Sequence, residues 1–211
     1  MGDELDLFGA SYIRREAEWM GDHRITLRRW WDAAAPRALV IGCNPSTADA
    51  NREDPTTHWL NAWFRLFGFG GYDLGNLYPC CSPSPAEARE WADWENNGPD
   101  WYARDAIHAN LHHVVRLAKA ASQVFVCWGA IAWDQDWIDH VVEEIQTGPA
   151  PWPDLYCWGE TKNGAPKHPM ARGVHRIPRD QPPILWSASH VHRVGGSPSP
   201  VLAPTHPGVP Q

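Results

Sequence analysis

The chain has 211 residues, 43% of them hydrophobic, with a formal net charge of −7, which bounds it to one domain with a real core, or one domain plus a tail. No run approaches the roughly 18 apolar residues a membrane span needs. The acidic start "MGDELDLFGA" reads as neither a secretory signal nor a transit peptide, so a cytoplasmic protein is expected.

The charge is uneven. From Thr161 onward there are six Lys/Arg against a single acid, Asp180, whereas the first 160 residues carry 12 basic and 24 acidic groups. Such asymmetry points to an anionic partner for the C-terminal segment, or to a basic tail lying on the protein's own acidic surface. The five cysteines lack paired or iron–sulfur spacing; Cys43, Cys127 and Cys157 sit in apolar runs and read as buried thiols. Fourteen Trp residues, several at helical spacing, read as packing residues.

In chain order, "RITLRRWW" (24–31) is an early strand and "RALVIGC" (37–43) a buried one. Asp54-Pro55-Thr56 makes a turn, with Thr56 a candidate N-cap. Leu60, Trp63, Phe64 and Phe67 then mark one face of a helix, closed by "GFGG" (68–71). "YDLGNLYP" (72–79) is a second buried strand, and "CCSPSPAEA" a loop. A helix over about 99–121 follows, then a strand "QVFVCWG" (123–129), a helix carrying Ile138, Val141, Val142 and Ile145, and a strand "DLYCWG" (154–159). Residues 1–186 form one α/β domain in this reading. Residues 187–211, rich in Pro, Ser, Gly and His, form a tail.

Strands alternating with helices predict a central, mainly parallel four-stranded sheet with helices on both faces, a three-layer α/β/α arrangement. Ligands of such sheets bind at the C-terminal strand edges. There the sequence turns polar and small: Gly42-Cys43-Asn44-Pro45-Ser46-Thr47, then Asn76-Leu77-Tyr78-Pro79, then Trp128-Gly129, then "GETKNGAPKHP" (159–169). These four termini are expected to line one cleft.

The ordered set "NPSTADA", "DPT", "NLYP", "WG" and "TKNGAPKHP" resembles a bacterial and phage family catalogued as domain of unknown function 1643, over about Arg24 to Pro178. A more distant resemblance is to the uracil-DNA glycosylase superfamily. Its members have a three-layer fold on a four-stranded parallel sheet, a G-x-(D/N)-P turn after strand one, and an Asn ending strand two. A "WG" or similar ends strand three, and a His-Pro loop follows strand four. Gly42-Cys43-Asn44-Pro45, Asn76, Trp128-Gly129 and His168-Pro169 fall in those places. Asn44 stands where the most active members carry Asp, as in mismatch-type members, and Met170 stands where Ser is usual.

That resemblance implies hydrolysis of an N-glycosidic bond of a modified or damaged base, in DNA or in a nucleotide, without cofactor or metal. Asn44 would orient water, and Asp49 or Asp54 would act as general base. His168 would stabilise the departing base. Asn76 would read a base edge, and Tyr78 or Trp128 would stack on the ring. Lys162 and Lys167 would hold phosphates. Gly42, Pro45, Ser46, Thr47 and Gly129 would shape the pocket. Each residue has a structural alternative. Asn44 to Thr47 suit a turn or cap, Asp49 and Asp54 suit a helix cap or a pair with Arg52, and Trp128 suits packing. His112-His113 and His190/His192 lack the acidic or Cys partners a metal site needs. Two other functions use the same cleft: a non-catalytic nucleic-acid or nucleotide-binding module, and a hydrolase or transferase acting on a phosphate-bearing small molecule.

Overall fold

The computed structural model of the chain describes residues 12–97 and 101–187. Seven strands form one sheet: β1 (Arg14–Met20), β2 (His23–Trp30), β3 (Arg37–Gly42), β4 (Gly71–Asn76), β5 (Gln123–Val126), β6 (Leu155–Cys157) and β7 (Ile184–Ser187), in the order β1-β2-β4-β3-β5-β6-β7. Four helices accompany them: α1 (Pro55–Leu66), α2 (Pro85–Asn97), α3 (Trp101–Ala120) and α4 (Gln135–Gln146).

β4, β3, β5 and β6 pair in parallel, and the apolar runs of β3 and β5 suit strands covered on both faces. Along β3, Leu39 and Ile41 enter one core with Ile107, Val114, Ile138 and Val141 from α3 and α4. Ala38 and Val40 enter the other, beside Trp59, Leu60, Trp63 and Phe64 from α1. This division follows from connection handedness. The chain leaves β3 toward β4 through α1, then crosses back over β3 to β5 through α3. Right-handed crossovers that run in opposite directions put their helices on opposite faces.

The α1 core is aromatic. Trp63 stacks on Phe67 at 4.1 Å, and Phe125 stacks on Trp158 at 5.3 Å. α1 starts where it does because the Asp54 side chain accepts the Thr57 N–H while the Thr57 hydroxyl takes the Asp54 N–H, with Pro55 in the first turn. The cap is therefore Asp54 rather than Thr56.

The sheet differs from the expected four mainly parallel strands. Antiparallel ladders (β1–β2, β2–β4 and β6–β7) are as many as parallel ones and pair slightly more residues. β1 is missing from the sequence reading because "RREAEWM" is a mostly exposed edge strand with no apolar run. β7 lies in a Pro-rich stretch, and Ile184 and Leu185 stay exposed. α2 replaces the later part of the expected 80–88 loop; among its described side chains those fully buried are the small Ala88 and Ala92, too weak a stripe to read. Strands expected to end at 43, 79, 129 and 159 end earlier, at Gly42, Asn76, Val126 and Cys157. The expected tail lies, from residue 188, outside the described residues. Among the described residues no helix is long and apolar enough to cross a membrane.

Candidate functional site

With β4 and β5 flanking β3, the chain's crossovers leave β3 in opposite directions. That makes the gap between the ends of β3 and β5 the switch point where open parallel sheets leave a crevice. Four segments meet at this edge: the loop 43–54, the loop 77–84, the turn 127–134 and the long excursion 158–179.

The loop 43–54 is bound to its neighbours through side chains. The Asn44 amide donates to the carbonyls of Pro45 (3.0 Å), Ser82 (2.9 Å) and Cys80 (3.4 Å). From β2 the Arg24 guanidinium donates to the Ala48 carbonyl. Arg29, with its side chain fully buried, donates to the carbonyls of Asp49 at 2.7 Å and Arg52 at 3.4 Å, and pairs with Glu53 at 2.9 Å. Burial alone would raise the Glu53 carboxyl; the Thr57 hydroxyl and the Arg29 and Arg15 guanidinium groups hold it below its ordinary value. Asp49 caps its own turn, accepting the N–H groups of Asn51 and Arg52 at 2.7 and 2.8 Å. Those bonds, the Asn51 one first, lower its pKa and make it a weaker base. Ser46 and Thr47 are exposed, and Pro45 is buried.

Gly42 and Asn76 are directly paired across β3 and β4. A Cβ on Gly42 would meet Asn76 Oδ1 at 2.8 Å, so only glycine lets the Asn76 amide lie there. Asn110 on α3 donates to the carbonyl of Asn76 at 2.9 Å and fixes that strand end. Asn76 Nδ2 is buried and has no protein partner. Arg24 Nε, Thr161 Oγ1 and Trp158 Nε1, on the same edge of the sheet, share that condition. Buried polar groups without partners are uncommon enough to call for an explanation, and a bound polar ligand supplies one. Tyr78 is buried and stacked on Trp133 at 4.5 Å, and Trp128 is buried edge-on to Trp186 at 5.2 Å.

The excursion 158–179 is held mainly through its backbone. Gly129 N–H donates to the Pro166 carbonyl at 2.9 Å, Lys167 N–H to Gly159 at 2.8 Å, and Thr161 N–H to Ala165 at 2.8 Å. Gly129 has φ +72°, which favours glycine, and the position packs against His168, whose Cβ a Cβ there would meet at 3.4 Å. His168 Nδ1 accepts the Met170 N–H at 3.1 Å. Burial pushes the imidazole below its ordinary pKa, opposed by the charge of Asp54. A neutral ring whose Nδ1 accepts carries its proton on Nε2.

His168, Gly129, Thr161, Lys167, Met170 and Arg172 line a cavity of about 310 Å³. A second cavity of about 810 Å³ lies between the start of α1 (Pro55, Trp59) and residues 169–179, and shares Met170, Ala171 and Arg172 with the first. Neither contains Asn44, Asp49 or Asn76. Lys162 is exposed on a turn. Gly42 and Asn76 thus come together, as do Gly129, Lys167 and His168, with Asp54 acting electrostatically on His168. Sequence reasoning missed Arg24, Arg29, Glu53 and Asn110. The only available signal was two arginines within a strand-like run.

A family model described as "Protein of unknown function (DUF1643)" matches residues 24–170. The chain belongs to this family. No curated protein and no solved structure matches it.

Proposed function

We propose that this chain is a hydrolase of the N-glycosidic bond of a modified or damaged base, with His168 as the group that receives the developing charge of the departing base. One observation carries the reading: His168 lines a small cavity with Nδ1 committed to the Met170 amide, which makes the neutral ring an Nε2–H donor. Burial favours that neutral form. A neutral donor in a partly desolvated site strengthens its hydrogen bond as negative charge grows on a base carbonyl oxygen, without protonating the substrate beforehand.

In the reaction, water adds its oxygen to the sugar carbon as the carbon–nitrogen bond breaks. The electron pair leaves with the base, which then takes up a proton. Of the two candidate carboxylates, Asp54 suits the water-activating role better than Asp49. Its charge reaches His168, and its carboxylate, like that of Asp49, also accepts backbone N–H, here from Thr57. Asn76 Nδ2, buried without a partner, suits reading of a base edge. The two apolar cores on opposite faces support the finer fold reading, a three-layer arrangement like that of the uracil-DNA glycosylase superfamily.

A second reading, a binding module without catalysis, is favoured by the occupied state of Asn44, whose amide is bound to three carbonyls. The experiment is base release. Single- and double-stranded oligonucleotides carrying uracil, hypoxanthine, alkylated purines and modified pyrimidines are incubated with protein, and free base and abasic sites are quantified. Release that His168→Ala lowers by about 100-fold or more is the expected result. Tight binding with no release by wild-type protein, unchanged by Asp54→Asn, would establish the binding module instead.

A further inference from the structure

Arg172, Arg176 and Arg179 all line the 810 Å³ groove, all are exposed, and none forms an ion pair among the described residues. Several arginines elsewhere behave differently. Arg15, Arg28, Arg29, Arg37 and Arg89 each pair with a carboxylate. The groove's floor is apolar, with Trp59, Met170, Ile177, Pro169 and Pro178 among its walls. The first 160 residues carry 24 acidic groups against 12 basic ones, so the chain's excess of cationic side chains lies in its C-terminal segment.

We propose that this groove is a track for single-stranded DNA, with the three arginines on successive phosphates and the apolar floor against the bases. A basic rim over an apolar floor is the arrangement that holds a single strand, because every base has an apolar face and every linkage a charge. A duplex hides its base faces from such a floor. A nucleoside monophosphate offers a single phosphate to three arginines spread along one groove. The groove and the His168 cavity share Met170, Ala171 and Arg172 in their linings, so a strand on the track would run beside that cavity. The choice of DNA as the polymer rests on the base-hydrolase reading; the groove's affinity for a strand does not.

The test is fluorescence anisotropy with a labelled dT 20-mer, a U 20-mer and a 20-base-pair duplex, from low to physiological salt. Three phosphate contacts predict a log–log salt slope of about −2 for the dT 20-mer, from roughly −0.7 per contact. The triple variant Arg172→Gln/Arg176→Gln/Arg179→Gln is expected to lose about tenfold or more at low salt and most of that slope. Thermal unfolding checks that it is folded, and Arg89→Gln on α2 is expected to bind as wild type. Unchanged binding by the triple variant overturns the track. So does tighter binding of the duplex or the U 20-mer than of the dT 20-mer. Arginine-dependent binding with no base release from any substrate leaves the track standing and removes the hydrolase. Base release from oligonucleotides that persists unchanged in the triple variant does the reverse.

Discussion

The two walls of the cleft are built by opposite uses of charge. In the loop 43–54, side chains make the structure: Arg24, Arg29 and Asn44 reach backbone carbonyls, and Glu53 is clamped between Arg29 and Arg15. In the excursion 158–179, backbone bonds make much of the structure, and the cationic side chains Lys162, Arg172, Arg176 and Arg179 stand exposed. A side chain spent on holding a loop is not available to a ligand, and one left at a groove rim contributes little to the fold. The first wall should therefore govern stability and the second binding.

Substitutions rank this contrast. The largest loss of stability is expected from Arg29→Ala, about 3–5 kcal/mol, because it leaves the Glu53 carboxylate mostly buried without its inner partner. Urea unfolding measures it. A loss below about 1 kcal/mol would show that the 43–54 wall is not held from β2. Asn44→Ala follows at about 1–3 kcal/mol, since it removes the donor from three loop carbonyls. If this variant also lost base release out of proportion to its stability, Asn44 would belong to the chemistry as well as to the wall.

Asp54→Ala is expected to cost about 1 kcal/mol through loss of the helix cap. Asp54→Asn retains an oxygen for the Thr57 N–H and should cost less. A large fall in activity for Asp54→Asn at near-wild-type stability would separate its charge from its capping role.

The smallest expected effect is on pH dependence. The folded-state pKa of His168 lies below its ordinary 6.5, so the unfolded chain binds the proton more readily. Stability is then fully present above about pH 6.5 and falls as pH drops toward the folded value. His23 and His113 are shifted down by burial as well, so His168→Gln should flatten only part of the slope. Unfolding free energies at several pH values between 5 and 7.5 measure it; a slope identical to wild type would mean that His168 is not desolvated.

Much of the fold was legible because local pattern coincides with burial. "ALVI" in β3 and "QVFV" in β5 are apolar on both faces, which only a covered parallel strand uses. The stripe of α1 points its large residues into one core. Boundaries were less legible, because apolar residues such as Leu77, Tyr78, Cys127 and Trp128 continue past the strand ends and are buried there, the first three still hydrogen-bonded to β3 or the residue after it. Of the site, the His168 loop was visible as a run of small, polar and basic residues. The partners of Asn44, Asp49 and Asn76 were not.

By itself the sequence determined that strands and helices alternate, that the central strands are buried, and that polar turns gather where the strands end. Those follow from periodicity and side-chain size, which act over a few residues. Tertiary structure alone decided that edge strands extend the sheet to seven and that Arg24 and Arg29 brace a loop about 20 residues away. Each of these depends on contacts between distant segments, where a charged side chain's role is set by what lies across from it rather than by its neighbours in the chain.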